Sequence, residues 1–97
     1  MAIKRIDHIA IVVPNLEAAL GFYQDALGLA LEHTERVEDQ NVIVAFLPTG
    51  GDSEIELVEP IGDTSGTARF MARHGPGIHH IALEVDDIAS LVATSTN

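Results

Sequence analysis

The chain opens on IKRIDHIAIVV, Ile3 to Val13, a β-branched run that is apolar on both parities apart from the polar exception at Asp7 and His8. Such a run predicts a strand covered on both faces. Pro14 ends the ladder, and Asn15 is placed to cap a helix over Leu16 to Leu27, where Leu16, Ala19, Leu20, Tyr23 and Leu27 fall at helical spacing. Gly28 supplies the helix stop. Leu29 to Arg36 reads as extended, Glu38 to Asn41 as a polar turn, and Val42 to Leu47 as an apolar strand closed by Pro48. The stretch Thr49 to Ser53 is a tight, hairpin-type connection into Glu54 to Glu59. There the alternation puts Ile55 and Leu57 on one face and Glu54, Glu56 and Val58 on the other. A polar connector from Gly62 to Thr67 leads to a short helix over Ala68 to His74, ended by Gly75-Pro76-Gly77. Gly77 to Val85 predicts another strand, and Asp87 begins a helix.

The order strand, helix, three strands, connector, strand, helix start contains a repeat. A shift of 72 positions (80 minus 8) lays Ile6–Leu20 on Ile78–Val92, with five identities over fifteen positions: Ile6 on Ile78, His8 on His80, Ile9 on Ile81, Ala10 on Ala82 and Val13 on Val85. The expected class is therefore α+β: a βαβββ module over residues 1–60, a connector with a short helix over 61–77, and the first strand and helix start of a second module over 78–97, all within one domain.

The repeat changes the meaning of His8. Alone on an apolar strand it reads as a core histidine bonded to a backbone carbonyl. Paired with His80 on a copy of the same strand, it reads as a ligand, because related strands bring equivalent side chains toward a common axis. Neutral imidazoles bind borderline divalent ions, and Glu56 or Glu54 on a neighbouring strand can add an oxygen donor. Strict alternation turns His79 away from the face of His80. His33 and His74 have no counterpart in the repeat and read as surface residues.

Composition narrows the partners. Fifteen acidic residues against five basic ones give a net charge of −10, and Lys4, Arg5, Arg36, Arg69 and Arg73 form no long patch, which disfavours nucleic acid. No apolar run approaches the roughly 20 residues of a membrane span, and Met1 to Arg5 runs straight into the first strand without the form of a signal peptide. A cytoplasmic protein is expected. With no cysteine, any metal must be held by imidazole, carboxylate or amide oxygen.

The segments RIDHIAIVVPNLEAALGFYQDALGL, VAFLPTGG, EIELVEP and GIHHIALEVDDI, the last preceded by ARFMARHGPG, resemble the methylmalonyl-CoA epimerases of the vicinal-oxygen-chelate superfamily. The resemblance implies paired βαβββ modules around a divalent ion, cobalt or manganese first, with zinc or nickel as further choices. By position it places metal ligands at His8, Glu56 and His80. It also implies an acyl-CoA substrate, proton abstraction alpha to a thioester through a stabilised enolate, and a homodimer or higher self-association. A glutamate proposed as a proton-transfer base in some relatives falls on Ile43, and a fourth ligand falls beyond Asn97, so the chain is expected to be C-terminally truncated with impaired catalysis. A glyoxalase I-type lyase or isomerase, and a non-catalytic small-molecule-binding module, are the alternative functions of the same fold.

Overall fold

The computed structural model describes residues 2–86; the helix expected from Asp87 lies outside the described residues. The fold is α+β. Five strands, β1 (Ile3–Val12), β2 (His33–Val37), β3 (Val42–Pro48), β4 (Glu54–Pro60) and β5 (Gly77–Val85), form one sheet in the order β2-β3-β4-β1-β5. β1 runs parallel to β4 and antiparallel to β5, while the β2–β3 and β3–β4 pairs are antiparallel. The parallel pair requires a crossover, and the helical segment after β1 begins it.

That segment starts as predicted and continues differently. Asn15 caps α1 (Leu16–Leu20), its side chain accepting from the Ala18 N–H at 2.9 Å, and the Glu59 carboxylate of β4 accepts from the Leu16 N–H at 2.6 Å. A first-turn amide is thus pinned to the sheet edge of the crossover, where negative charge is favoured. From Gly21 to Ala26 the backbone widens into a π-helical turn, with the Leu27 N–H bonded to the Phe22 carbonyl at 3.2 Å. The apolar spacing alone does not distinguish this from a continuous α-helix. Gly28, at φ 74°, then reverses the chain. β2 begins at His33, later than the extended stretch expected from Leu29, and α2 (Gly66–His74) begins two residues before the predicted start, capped by the Ser65 hydroxyl on the Ala68 N–H.

The sheet buries both faces in its middle. Val13, Leu16, Ala45, Leu47 and Leu57 form a cluster under α1, joined by Ile11, Ile43 and Tyr23. Ala10, Val42, Val44 and Val58 form a second cluster on the opposite face, joined by Val37 and Phe46. β1 is covered on both faces only in its second half: Ala10 and Val12 are fully buried, whereas Ile3 and Ile6 are 59% and 41% exposed. Cross-strand partners share a face, so Ile6 opposite Leu83 and Ile9 opposite Ile81 make an apolar strip on the α1 side that α1 does not reach.

Leu57 holds the first cluster at its centre and has no exposed surface. Leu57→Ala should lower the unfolding free energy by about 2–5 kcal/mol, read from urea denaturation, and a loss below about 1 kcal/mol would contradict this packing.

Candidate functional site

The candidate site lies on the face opposite α1. His8 stands beside Glu54 across the parallel β1–β4 pair, and Ala10 beside Glu56. On the other side Ala10 pairs with His80, and His8 with Ala82. Both histidines and both carboxylates therefore share the face lined by Ala10, Val44 and Val58, as alternation along each strand requires. Ile43, the position expected for a proton-transfer glutamate, packs into the α1-side cluster instead; the β3 side chain in the cluster on this face is Val44.

The imidazoles of His8 and His80 meet edge to face at a centroid separation of 5.2 Å, with Nε2 to Nε2 at 3.2 Å. The other side of the His8 ring is occupied by acids: Nδ1 lies 2.8 Å from Asp7 Oδ2 and 3.5 Å from Glu56 Oε2. His8 and Glu56 are about four-fifths shielded, while His80 is exposed. Of the three residues expected as ligands, two thus present the same ring nitrogen to one space, and Glu56 lies next to them with its carboxylate toward Nδ1. Among the described residues no three His, Asp or Glu side chains converge on one point.

A divalent ion fits the imidazole pair. Nitrogens bound roughly 2.0–2.1 Å from one ion stand about 3 Å apart, and the two Nε2 atoms already do. The ligating form is neutral imidazole, and burial, followed by the rings of His79 and His8, holds His80 below the usual imidazole value. Asp7 is held below the usual carboxylate range, first by its hydrogen bond from His8 and then by the charge of Arg5, against the opposing effect of burial.

One residue departs from its sequence reading. His79 does not turn away from His80: its Nδ1 lies 3.0 Å from His80 Nδ1, and its ring also stands against Phe70 of α2 at 4.9 Å. The reason is a register shift in which His79 is the extra residue of β5, so strict alternation fails there. His33 is a surface residue, as expected, and its half-exposed ring stacks on Phe46 at 4.5 Å, on the face of Glu54 and Glu56. The signal for His33 was its place opposite Phe46, which requires a strand register that sequence periodicity does not supply. Beyond His79, an open cleft of about 550 Å³ lies between the start of α2 and the β2–β3 turn, with Asp39, Asn41, Ser65 and Arg69 among its lining.

Over residues 7–97 the chain matches the model of the Glyoxalase/Bleomycin resistance protein/Dioxygenase superfamily. It is 44% identical over 79 residues to an uncharacterized protein of Bacillus subtilis, covering 81% of this chain and 56% of the relative. It is 41% identical over 87 residues to the ethylmalonyl-CoA/methylmalonyl-CoA epimerase of Cereibacter sphaeroides, covering 89% and 64%. A substituted methylmalonyl-CoA epimerase of Streptomyces coelicolor, in complex with 2-nitronate-propionyl-CoA, superposes with a TM-score of 0.82 at 35% identity, covering 98% of this chain and 71% of that one. The chain spans about half to two-thirds of the length of the curated relatives it matches.

Glu54 supplies a pH signature of this face. Burial, then the nearby carboxylates of Glu32 and Glu56, raise its pKa against the weaker opposing pull of His33 and His8. A raised carboxyl pKa means the folded state holds the proton longer than the unfolded state, so this residue's contribution to stability falls as pH rises from about 4 through the carboxylate range. Glu54→Gln should make the chain more stable at neutral pH and flatten that part of the profile. Superimposable melting curves for the two proteins from acid to neutral pH would count against it.

Proposed function

We propose, from the premise that this chain belongs to the Glyoxalase/Bleomycin resistance protein/Dioxygenase superfamily, that it takes part in metal-dependent epimerisation at the carbon alpha to the thioester of methylmalonyl-CoA or a close acyl-CoA relative. The single observation that carries this reading is the His8–His80 pair, with both Nε2 atoms facing one space on a sheet whose epimerase relatives are 35–41% identical.

His8 and His80 would hold a divalent ion through Nε2, and Glu56, on the same face and 3.5 Å from His8, would complete the protein donors among the described residues after turning its carboxylate. Cobalt or manganese suits this mixture of imidazole and carboxylate, and zinc or nickel is accommodated by the same donors. When bound, such an ion supplies positive charge toward the oxygens flanking the reacting carbon. The chain's own residues shape the rest. Val44, Val58 and Phe46 form an apolar wall on the same face, which lowers the local dielectric and strengthens the charge interactions beside it. Epimerisation removes one proton and returns one, which calls for acid–base groups within hydrogen-bond reach of the substrate carbon. Glu54 and Glu56 are the β4 carboxylates on this face.

Among the described residues β5 is the last strand of the sheet, and Ile78, Ile81 and Leu83 along it are 58%, 51% and 49% exposed. An open edge bordered by apolar side chains favours pairing with another strand, and self-association through this edge is part of the proposal.

The test is isotope exchange. Supplied with cobalt and methylmalonyl-CoA in D2O, the chain should incorporate deuterium at carbon 2, and His8→Ala should slow this by at least about 100-fold. Exchange no faster than in protein-free buffer would sink the assignment. In the same preparation, size-exclusion chromatography should give a particle larger than a 97-residue monomer, and a sharp monomer peak would remove the self-association.

A further inference from the structure

The β1–β5 pairing contains three register shifts, at Ile3/Arg5, Ile6/His8 and Ala10/Ile11, and the last two are related by the internal repeat. Between Ile6 and His8 the register advances two residues on β1 against one on β5, leaving Asp7 as the extra residue. Between Ala10 and Ile11 the reverse occurs, and His79 is the extra residue on β5. The shift of 72 positions that lays His8 on His80 also lays Asp7 on His79. Each strand therefore inserts one residue immediately before its histidine. A bulge re-aims the side chain at the insertion, and both inserted side chains end beside the histidine that follows.

The contacts are equivalent in the two copies. Asp7 Oδ2 lies 2.8 Å from His8 Nδ1, and His79 Nδ1 lies 3.0 Å from His80 Nδ1. In both, Nδ1 is engaged by the preceding residue and Nε2 faces the opposite histidine. The supports are themselves anchored. Arg5 contacts Asp7 at 3.1 Å and Glu84 of β5 at 2.6 Å, and also donates to the Asp52 carbonyl, while His79 stands edge-on to Phe70. A carboxylate can only accept from an imidazole, so Asp7 requires the proton of neutral His8 to sit on Nδ1. That leaves the Nε2 lone pair free, the tautomer an ion at the shared space needs.

We propose that Asp7 and His79 are positioning residues, carried by two repeat-related bulges: Asp7 fixes the Nδ1–H tautomer of His8, and the two together hold both imidazoles with Nε2 toward one point. The proposal rests on the metal reading above for its purpose, but its structural content concerns the metal-free chain. Without metal the Nε2–Nε2 contact at 3.2 Å needs one proton, so His80 donates from Nε2 to the His8 lone pair, and His79 donates from its Nδ1 to His80 Nδ1.

The experiment has two arms on the full chain. In the first, 15N-labelled imidazole resonances are recorded without metal at about pH 8, where imidazole is neutral. Wild type should show His8 as the Nδ1–H tautomer and His80 as the Nε2–H tautomer. Asp7→Leu should move His8 toward the Nε2–H form, Asp7→Asn should keep it because the amide oxygen still accepts, and His79→Phe should release His80 alone. In the second arm, Co2+ affinity is measured for the same proteins, and Asp7→Leu should weaken it about 10- to 100-fold, with Asp7→Asn close to wild type. If Asp7→Leu does not fold, Asp7→Asn and His79→Phe carry the test. Unchanged tautomers in Asp7→Leu or His79→Phe, or an Nε2–H tautomer of His8 in wild type, overturn the proposal whatever the metal does. Tautomers that respond as stated in a wild-type chain with no Co2+ affinity would uphold the positioning and remove the metal reading instead.

Discussion

Everything at the candidate site depends on the antiparallel pairing of β1 with β5. β1 is fixed on its other side by β4, and through β4 to β3 and β2, so its register is set by four strands and two buried clusters. Among the described residues β5 has only β1 as a strand neighbour. The ladder between them sets Ala10 opposite His80 and His8 opposite Ala82, which puts the two imidazoles on one face at diagonal positions. A slip of one residue would send every β5 side chain to the other face and separate them. The ends are tied against such a slip: Ala2 and Asp86 exchange two hydrogen bonds, and Arg5 spans the strands to Glu84.

The same ladder explains why so open a pair of histidines can be held in one geometry. His80 is on the edge strand and exposed, yet it touches His8 on one side and His79 on the other, and His79 rests on α2. The aromatic and imidazole rings of Phe70, His79, His80 and His8 form a continuous run of edge contacts from the helix to β1. Such contacts add a modest amount each beyond area burial. Their larger effect here is on orientation, since each ring limits the rotation of the next.

Much of this was legible in the amino-acid order because the signals were local. Pro14 and Asn15 place the first helix start, Gly28 its end, and the alternation in Glu54–Glu59 places both carboxylates opposite Ile55 and Leu57. The repeat of Ile6–Val13 in Ile78–Val85 pointed to two histidines on equivalent strands, and they meet. What periodicity could not supply was register. Alternation turned His79 away from His80, whereas the inserted residue in β5 brings them together. Register also decides that Ile43, where the resemblance lays a relative's glutamate, faces α1, and that the surface residue His33 stacks on Phe46. The π-helical turn after Gly21 is a further case, since an apolar spacing that fits an α-helix over two turns also tolerates one wider turn.

The central claim is that the β1–β5 ladder makes His8 and His80 two halves of one binding point. Titration of the 15N-labelled chain with Zn2+, followed through the imidazole Nε2 resonances, addresses it most directly. The account predicts that the Nε2 signals of His8 and His80 shift together and saturate at one equivalent of metal, with His33 and His74 unmoved. Independent shifts of the two, or a response in only one of them, would contradict it.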